Sequence, residues 1–280
     1  METEIQAMEI ATNYKPPALT DEEFKLFRQM IYDVAGISLS NAKKALVAAR
    51  LLKRVKYFGM ASYREYFVLL KTPGNDELQN AVDMLTTNET FFFREKKHFE
   101  FLQHQILPNW HSGNKRIWSA ASSSGEEAYS LAMTLSEYAL TDKWEIVGTD
   151  ISTRVLNTAR KAQYPMSRSR DIPLNYLKKY CLKGIGSQEG TFLIQPVLSR
   201  KVSFLHANLK QNLTRLGRFD VIFLRNVMIY FNNDTKRQVL ALLLQQLNPG
   251  GFLMIGHSES LNGITNALQL VSPSIYVKAK

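Results

Sequence analysis

The stretch "IWSAASSSGEEAYSLA", Ile117 to Ala132, runs from an apolar strand pattern through a loop of small residues into a helix pattern. With this layout α/β proteins approach a nucleotide. A pyrophosphate, however, is held by backbone N–H groups and the positive end of a helix, and Glu126 and Glu127 at that position repel it. The ligand suited to this turn is cationic where it meets the acids and carries no phosphate there. S-adenosylmethionine meets both conditions, with a sulfonium, an ammonium and an adenosine attached without phosphates. The next strand-like run, "WEIVGTD", ends at Asp150, 25 residues after Gly125, where an open α/β sheet offers a carboxylate to a ribose diol. The turn alone also fits an ordinary helix N-terminus with dipole-stabilising glutamates; Asp150 in register weighs against that alternative.

These residues need a sheet to position them. From Arg116 onward, apolar runs at "RIWSA", "WEIVGT", "VSFLHA", "FDVIFL" and "GFLMIGH" alternate with helical segments, which predicts a mostly parallel sheet covered by helices. The small and polar clusters fall where those strands end. "LQLVSPSIYVKA" predicts a closing hairpin turning at Pro273, as in the class I methyltransferase sheet. About residues 165–201, "KYCLKG" and "TFLIQPV" flank the loop "GIGSQEG" and predict a small antiparallel β insertion.

The N-terminal part reads differently. Residues 1–17 form a lead-in ending at Pro16-Pro17, and residues 18–87 an all-α domain. Thr20 and Glu23 make a capping-box pattern ahead of Phe24, Phe27, Ile31 and Val34. A second helix spans about Ser40 to Phe58, Ser62 caps a third, and "NDELQNAVDML" supplies a fourth. No acidic residue occurs between Asp33 and Glu65, so Lys43, Lys44, Arg50, Lys53 and Arg54 lie in a basic island, most of them on one face of the second helix. The remaining segment, 88–280, is the α/β domain.

Composition narrows the class. A chain of 280 residues with 45% hydrophobic and 11% aromatic content supports a substantial core, and a net charge of +10 favours an acidic or polyanionic partner. No apolar run approaches the ~20 residues that span a bilayer, and the N-terminus lacks a signal-peptide pattern, so the expected location is the cytoplasm. The single cysteine, Cys181, excludes an internal disulfide and reads as a buried small hydrophobe. The histidines show no metal-ligand spacing, and His257 in "GHSES" lacks a nucleophile elbow. With no heptad run, a monomer is expected.

The segments "NETFFFRE" (88–95), "WSAASSSGEEAYSLAM", "GTDIS", "FDVIFLRNVMIYF" and "LNPGGFLMIGHSES" resemble the CheR family of chemotaxis receptor methyltransferases, in order and over nearly the whole chain. Ala128 and the triple serine are mild departures in a turn where the family takes small residues. The resemblance implies a class I S-adenosylmethionine-dependent methyltransferase domain (Rossmann-like α/β) behind an all-α domain. It also implies S-adenosylmethionine as donor, S-adenosylhomocysteine as product, and methyl esterification of receptor glutamates for sensory adaptation. Asn88, Thr90, Arg94, Glu127, Asp150, Asn208, Leu209, Asn226 and Val227 match the family's donor contacts. Arg94 is placed near the methyl group, and Arg225 and Tyr230 border the acceptor. With chemoreceptors (methyl-accepting chemotaxis proteins) as the implied partners, the basic island bearing Lys43, Lys44, Arg50, Lys53 and Arg54 is the expected docking face for acidic helical receptor segments, and some members of the family bind a receptor C-terminal peptide as a strand added to the β insertion.

The esterification suits the chemistry. A glutamate with an unperturbed pKa near ~4.3 is already a carboxylate at neutral pH, so it needs alignment and desolvation rather than a general base. Two other readings compete. Charge and a nucleoside site also fit a nucleic-acid methyltransferase, although "RNVMIYF" stands where amine methylators carry an (Asp/Asn/Ser)-Pro-Pro-aromatic motif. A donor-binding sensor that transfers nothing is the second.

Overall fold

The computed structural model describes residues 16–280. The expected lead-in, residues 1–17, therefore lies outside the described residues except for Pro16 and Pro17. The chain divides into two compact units, one running to Val34 with Ser38–Leu85 and the other comprising Ala35–Ile37 with Thr86–Lys280. No helix among the described residues is long and apolar enough to cross a membrane.

The first unit is built from α1 (Asp21–Ala35, all but its last residue), α2 (Lys44–Tyr57), α3 (Tyr63–Leu70) and α4 (Glu77–Leu85). The capping box forms as expected: Glu23 accepts from the Thr20 backbone N–H at 2.8 Å, and Thr20 Oγ1 accepts from Glu23 N–H at 3.2 Å. The second oxygen of Glu23 accepts from Arg64 N–H at 2.8 Å and ties α1 to the start of α3. Ser62 caps α3 by accepting from Glu65 N–H at 3.2 Å. Phe27 packs on Tyr63, Tyr66 and Phe67 with centroids 5.4–6.3 Å apart, while Val47, Leu51 and Val55 bury one stripe of α2.

The expected cationic face is partly committed to this fold. Arg54 reaches Glu77 with two hydrogen bonds, Nε to Oε1 at 2.7 Å and Nη2 to Oε2 at 2.6 Å, and Tyr66 donates to the same carboxylate at 2.7 Å. Burial pushes the Glu77 carboxyl up, but bonds from Arg54, Tyr66 and Asn80 outweigh it and hold the group below its usual range. Arg50 donates to the Leu85 carbonyl at 3.0 Å, and Lys44 pairs with Asp21 at 2.7 Å. Lys43 and Lys53 are exposed. An α2 periodicity argument places all five cations, but it contains no information about which acid arrives from α4.

The second unit carries a seven-stranded sheet with β1 (Lys115–Ala120), β2 (Trp144–Asp150), β6 (Val202–His206), β7 (Phe219–Leu224), β8 (Leu247–Ile255), β9 (Leu268–Ser272) and β10 (Ile275–Lys278). Its order is β6-β2-β1-β7-β8-β10-β9, with β10 antiparallel to both neighbours and the first five strands parallel. β1 pairs with β2 on one side and β7 on the other, so the chain reverses its direction of winding at β1 and a crevice opens at the carboxyl ends of those strands. Helices α5 (Lys96–Phe101), α6 (Glu126–Tyr138), α7 (Thr153–Lys161) and α9 (Asn233–Leu244) flank the sheet sequence.

The insertion is a second, antiparallel sheet of order β3-β5-β4, with β3 at Gln163–Pro165, β4 at Cys181–Lys183 and β5 at Thr191–Ile194. β3 and the helix α8 (Leu174–Tyr180) go beyond the two strands read from the sequence, because three residues of strand carry no usable alternation. Phe92, Tyr164 and Phe192 stack with centroids 5.1–5.8 Å apart beneath it. Cys181 is only half-buried; burial pushes its thiol up to about 12, which leaves it protonated and unreactive.

The Arg54–Glu77 pair generates a stability prediction. Arg54→Ala strands a buried carboxylate and lowers unfolding free energy by about 3 kcal/mol in urea titration, whereas Lys53→Ala stays within about 0.5 kcal/mol of wild type.

Candidate active site at the strand ends

A cleft lies at the carboxyl ends of β1, β2 and β7. Its walls include every donor-site and acceptor-site residue expected from the sequence: Asn88, Thr90 and Arg94 from one segment, Glu127 and Asp150 from the strand turns, Asn208 and Leu209 after β6, and Arg225, Asn226, Val227 and Tyr230 after β7. Ala35, Ile37 and Phe231 close another part of the wall, with Ile37 bridged to Phe231.

The small-residue turn after β1 works through backbone conformation. Ala121 and Ser123 adopt positive φ (61° and 50°), and Gly125 at φ 94° opens α6. A methyl group on Gly125 would meet Ala159 Cβ at 2.9 Å and Tyr164 Oη at 3.0 Å, so glycine is required by space as well as by φ. Asp150 holds this turn: Oδ2 accepts from Ser123 N–H and Oδ1 from Ser152 N–H, each at 2.9 Å. Ser123 Oγ then donates to the Asn88 carbonyl at 2.8 Å and fixes the "NETFFFRE" segment alongside. Asp150 also borders the cleft.

The two glutamates of the turn point to different places. Glu126 is buried, accepts from Ser124 Oγ at 2.7 Å and pairs with Arg168 at 3.0 Å; burial pushes its carboxyl up. Glu127 faces the cleft, accepting from Ser119 Oγ at 2.6 Å and from Arg225 Nη1 at 2.9 Å. The side chain available to a cationic ligand is Glu127.

Arg225 is buried at the end of β7 and divides its guanidinium between Glu127 at 2.9 Å, Glu95 at 3.0 Å and the Arg94 carbonyl. The resemblance puts Arg225 at the acceptor border; the geometry makes it the strut between two acids. Burial pushes the Glu95 carboxyl up, but Arg225, Asn226 and the His257 N–H outweigh it and keep Glu95 below its ordinary value. Arg94 is placed differently. Its guanidinium lies 5.6 Å from the Phe91 centroid and donates to the Glu89 carbonyl at 3.1 Å, a charge held over an aromatic support beside the cleft. Phe92 and Phe93 are core, while Phe91 is exposed.

The turn after β7 places Asn226 at φ 57°. Its side chain donates to Glu95 at 3.1 Å, and its backbone N–H donates to Glu259 at 3.0 Å. Asn208 forms an Asx turn by accepting from Lys210 N–H at 3.0 Å.

Sequence reasoning missed Glu95, Glu259, Ser119 and Arg168 as parts of the site. Glu95 and Glu259 stand inside the quoted segments "NETFFFRE" and "GHSES", so the signal was present; nothing in sequence marks Arg168, which arrives from the insertion. It also separated three residues that the fold unites: ligand-type atoms of Glu95, His98 and His257 lie within 4.8 Å of one another. The Arg225 guanidinium sits 3.0 Å from the same Glu95 oxygen and opposes a second cation there, so the cluster reads as a hydrogen-bonded hub. Burial and then the Arg225 charge push His98 down to about 3, keeping it neutral.

The cleft therefore brings together two acids, Glu127 and Asp150, a turn with no phosphate cradle, and Arg94 over its aromatic support. Comparisons with known proteins identify the family. Residues 22–86 match the family model described as "CheR methyltransferase, all-alpha domain", and residues 88–277 match "CheR methyltransferase, SAM binding domain". The chain is 38% identical to a chemotaxis protein methyltransferase of Borreliella burgdorferi, covering 93% of this chain and 95% of that protein. It is 37% identical to the one of Escherichia coli, covering 94% and 93%, and 36% identical to chemotaxis protein methyltransferase 1 of Pseudomonas aeruginosa, covering 92% and 98%. With both domain models matched end to end, the chain belongs to the CheR methyltransferase family and is an S-adenosylmethionine-dependent methyltransferase of chemotaxis.

Proposed function

We propose that this enzyme esterifies glutamate side chains of chemotaxis receptors, with Glu127, Asp150, Asn88, Thr90, Asn208, Leu209, Asn226 and Val227 holding the donor and Arg94 and Tyr230 bordering the incoming carboxylate. When bound, the donor supplies an electrophilic methyl carbon on a sulfonium, which a carboxylate oxygen takes as the carbon–sulfur bond breaks. The observation that carries the reading is Glu127. It faces the cleft with a carboxylate already oriented by Ser119 and Arg225, so it meets an ammonium without reorganising. Asp150 plays the matching part for the ribose. Arg94 steers an anion to the cleft mouth, and its Phe91 support limits the freedom the side chain would otherwise lose on binding. No base is assigned, because the acceptor is ionised before it arrives. Its negative charge and the sulfonium's positive charge cancel as the bond forms, so excluding water from the cleft favours the reaction.

Receptor engagement is assigned to two surfaces, each within its own unit. At the start of α2 and along it, Lys43 and Lys53 supply the exposed positive charge for acidic helical segments, while Lys44, Arg50 and Arg54 shape the face they stand on. On the insertion, β4 is an edge strand with Leu182 and Ile185 exposed beside it, the arrangement that accepts a peptide as an added strand.

Transfer of radiolabelled methyl groups to chemoreceptor-containing membranes, followed by mild alkali, releases volatile label as methanol if glutamate esters form; base-stable label refutes the acceptor assignment. Arg94→Ala lowers kcat/KM about 100-fold, a loss of ~2.7 kcal/mol, with S-adenosylhomocysteine affinity changed less than kcat. Reversing Lys43 and Lys53 to glutamate raises the receptor KM several-fold and flattens its salt dependence; unchanged kinetics remove α2 as the docking face. Calorimetry with receptor C-terminal peptides detects binding that Leu182→Glu weakens, and no heat with the wild type removes the insertion from the assignment.

A further inference from the structure

Glu259 lies four residues past the end of β8 and outside the cleft lining, yet its carboxylate collects the backbone of two loops. Oε2 accepts from Gly256 N–H at 2.7 Å and from Asn226 N–H at 3.0 Å, and Oε1 accepts from Ile229 N–H at 3.2 Å. The turn it gathers, residues 226–230, contains the cleft-lining residues Asn226, Val227 and Tyr230. That turn does not hold itself. Asn226 sits at φ 57°, a left-handed conformation that a non-glycine residue keeps only where surrounding contacts enforce it. The contacts here are two carboxylates, Glu95 on the side chain and Glu259 on the backbone.

The approach of the two loops is also sterically exacting. A methyl group on Gly256 would lie 2.6 Å from Asn226 Nδ2, 2.9 Å from Glu259 Oε2 and 3.0 Å from Asn226 N. Glycine at 256 lets the carboxylate reach across from β8 to the β7 turn, and the N–H of Glu259 returns to the Gly256 carbonyl at 2.9 Å to close its own turn.

We propose that Glu259 is a positioning residue for donor binding: it fixes the turn after β7 so that Asn226 and Val227 are presented to the donor before it arrives. This rests on the reading of the cleft as the donor site. A carboxylate is needed because three N–H donors converge on it, and an acceptor-only group satisfies all of them. Glutamine offers one carbonyl, and its NH₂ faces a backbone N–H, so at least one bond is replaced by a donor–donor contact. The turn then samples other conformations, and only a fraction of molecules is competent to bind at any moment.

The test uses the full chain carrying Glu259→Gln, with S-adenosylhomocysteine as the calorimetric probe and receptor methylation as the kinetic readout. Its dissociation constant and the donor KM both rise at least tenfold, equivalent to about 1.4 kcal/mol, while kcat falls less than threefold and the receptor KM is unchanged. A merely structural role lowers the amount of active enzyme, and so kcat, and leaves the donor KM alone; that result overturns the proposal. Gly256→Ala keeps the carboxylate but crowds it and Asn226 at the same junction, and gives the same donor-specific loss. If Glu259→Gln does not fold, Gly256→Ala decides: donor affinity within twofold of wild type overturns the inference. Failure of the wild type to bind S-adenosylhomocysteine overturns the donor-site reading, and this inference with it.

Discussion

A buried guanidinium between two carboxylates governs the catalytic unit. Arg225 joins Glu127 at the start of α6 to Glu95 ahead of α5, and both partners are tied to further groups, Ser119 on one side and Asn226 on the other. Removing such a charge from water is costly, so the arrangement is stable only with its partners in place. The same arrangement holds Glu127 against the cleft wall, with Ser119 and Arg225 both bonded to its carboxylate.

Backbone strain is concentrated at the same place. Phe93, Glu95, Ala121, Ser123 and Asn226 all have positive φ, and all belong to the segments that build the cleft or hold its arginine. Each such residue costs on the order of 1 kcal/mol or more, which acceptor groups offset locally. Asp150 holds the turn of Ser123, Glu95 and Glu259 hold Asn226, and Ser130 Oγ accepts from the Phe93 N–H at 2.9 Å. Carboxylates here thus hold backbone turns; Asp150 also lines the cleft, and Glu259 stands outside it.

The helical unit shows why charge counts overstate docking surfaces. Its basic island arises from a lack of acids in the local sequence, but acids supplied from elsewhere in the unit neutralise part of it. Glu77 from α4 takes Arg54, and Asp21 from α1 takes Lys44. Arg54 also lies 4.4 Å from the Tyr57 centroid and 5.0 Å from that of Phe58, so it is packed as well as paired.

The sequence alone determined the strands of the main sheet and the capped helices, because each depends on residues within one stretch, and the turn together with Asp150 pointed to a nucleoside ligand without a phosphate. Periodicity marks a strand, a Thr-x-x-Glu box marks a helix start, and two glutamates after a small-residue loop exclude a phosphate whatever surrounds them. The family resemblance supplied the residues on distant segments that line the cleft. The family resemblance favoured Glu127 over Glu126, and only the tertiary structure gave the physical reason: Glu127 lines the cleft and meets Arg225, whereas Glu126 is buried against Ser124 and Arg168. It likewise decided that Arg225 braces two acids, that Arg54 is spent on Glu77, and that Glu259 holds a turn more than 25 residues away. Those assignments depend on partners brought together by β7, β8 and α4 from far along the chain, and local pattern carries no record of such meetings.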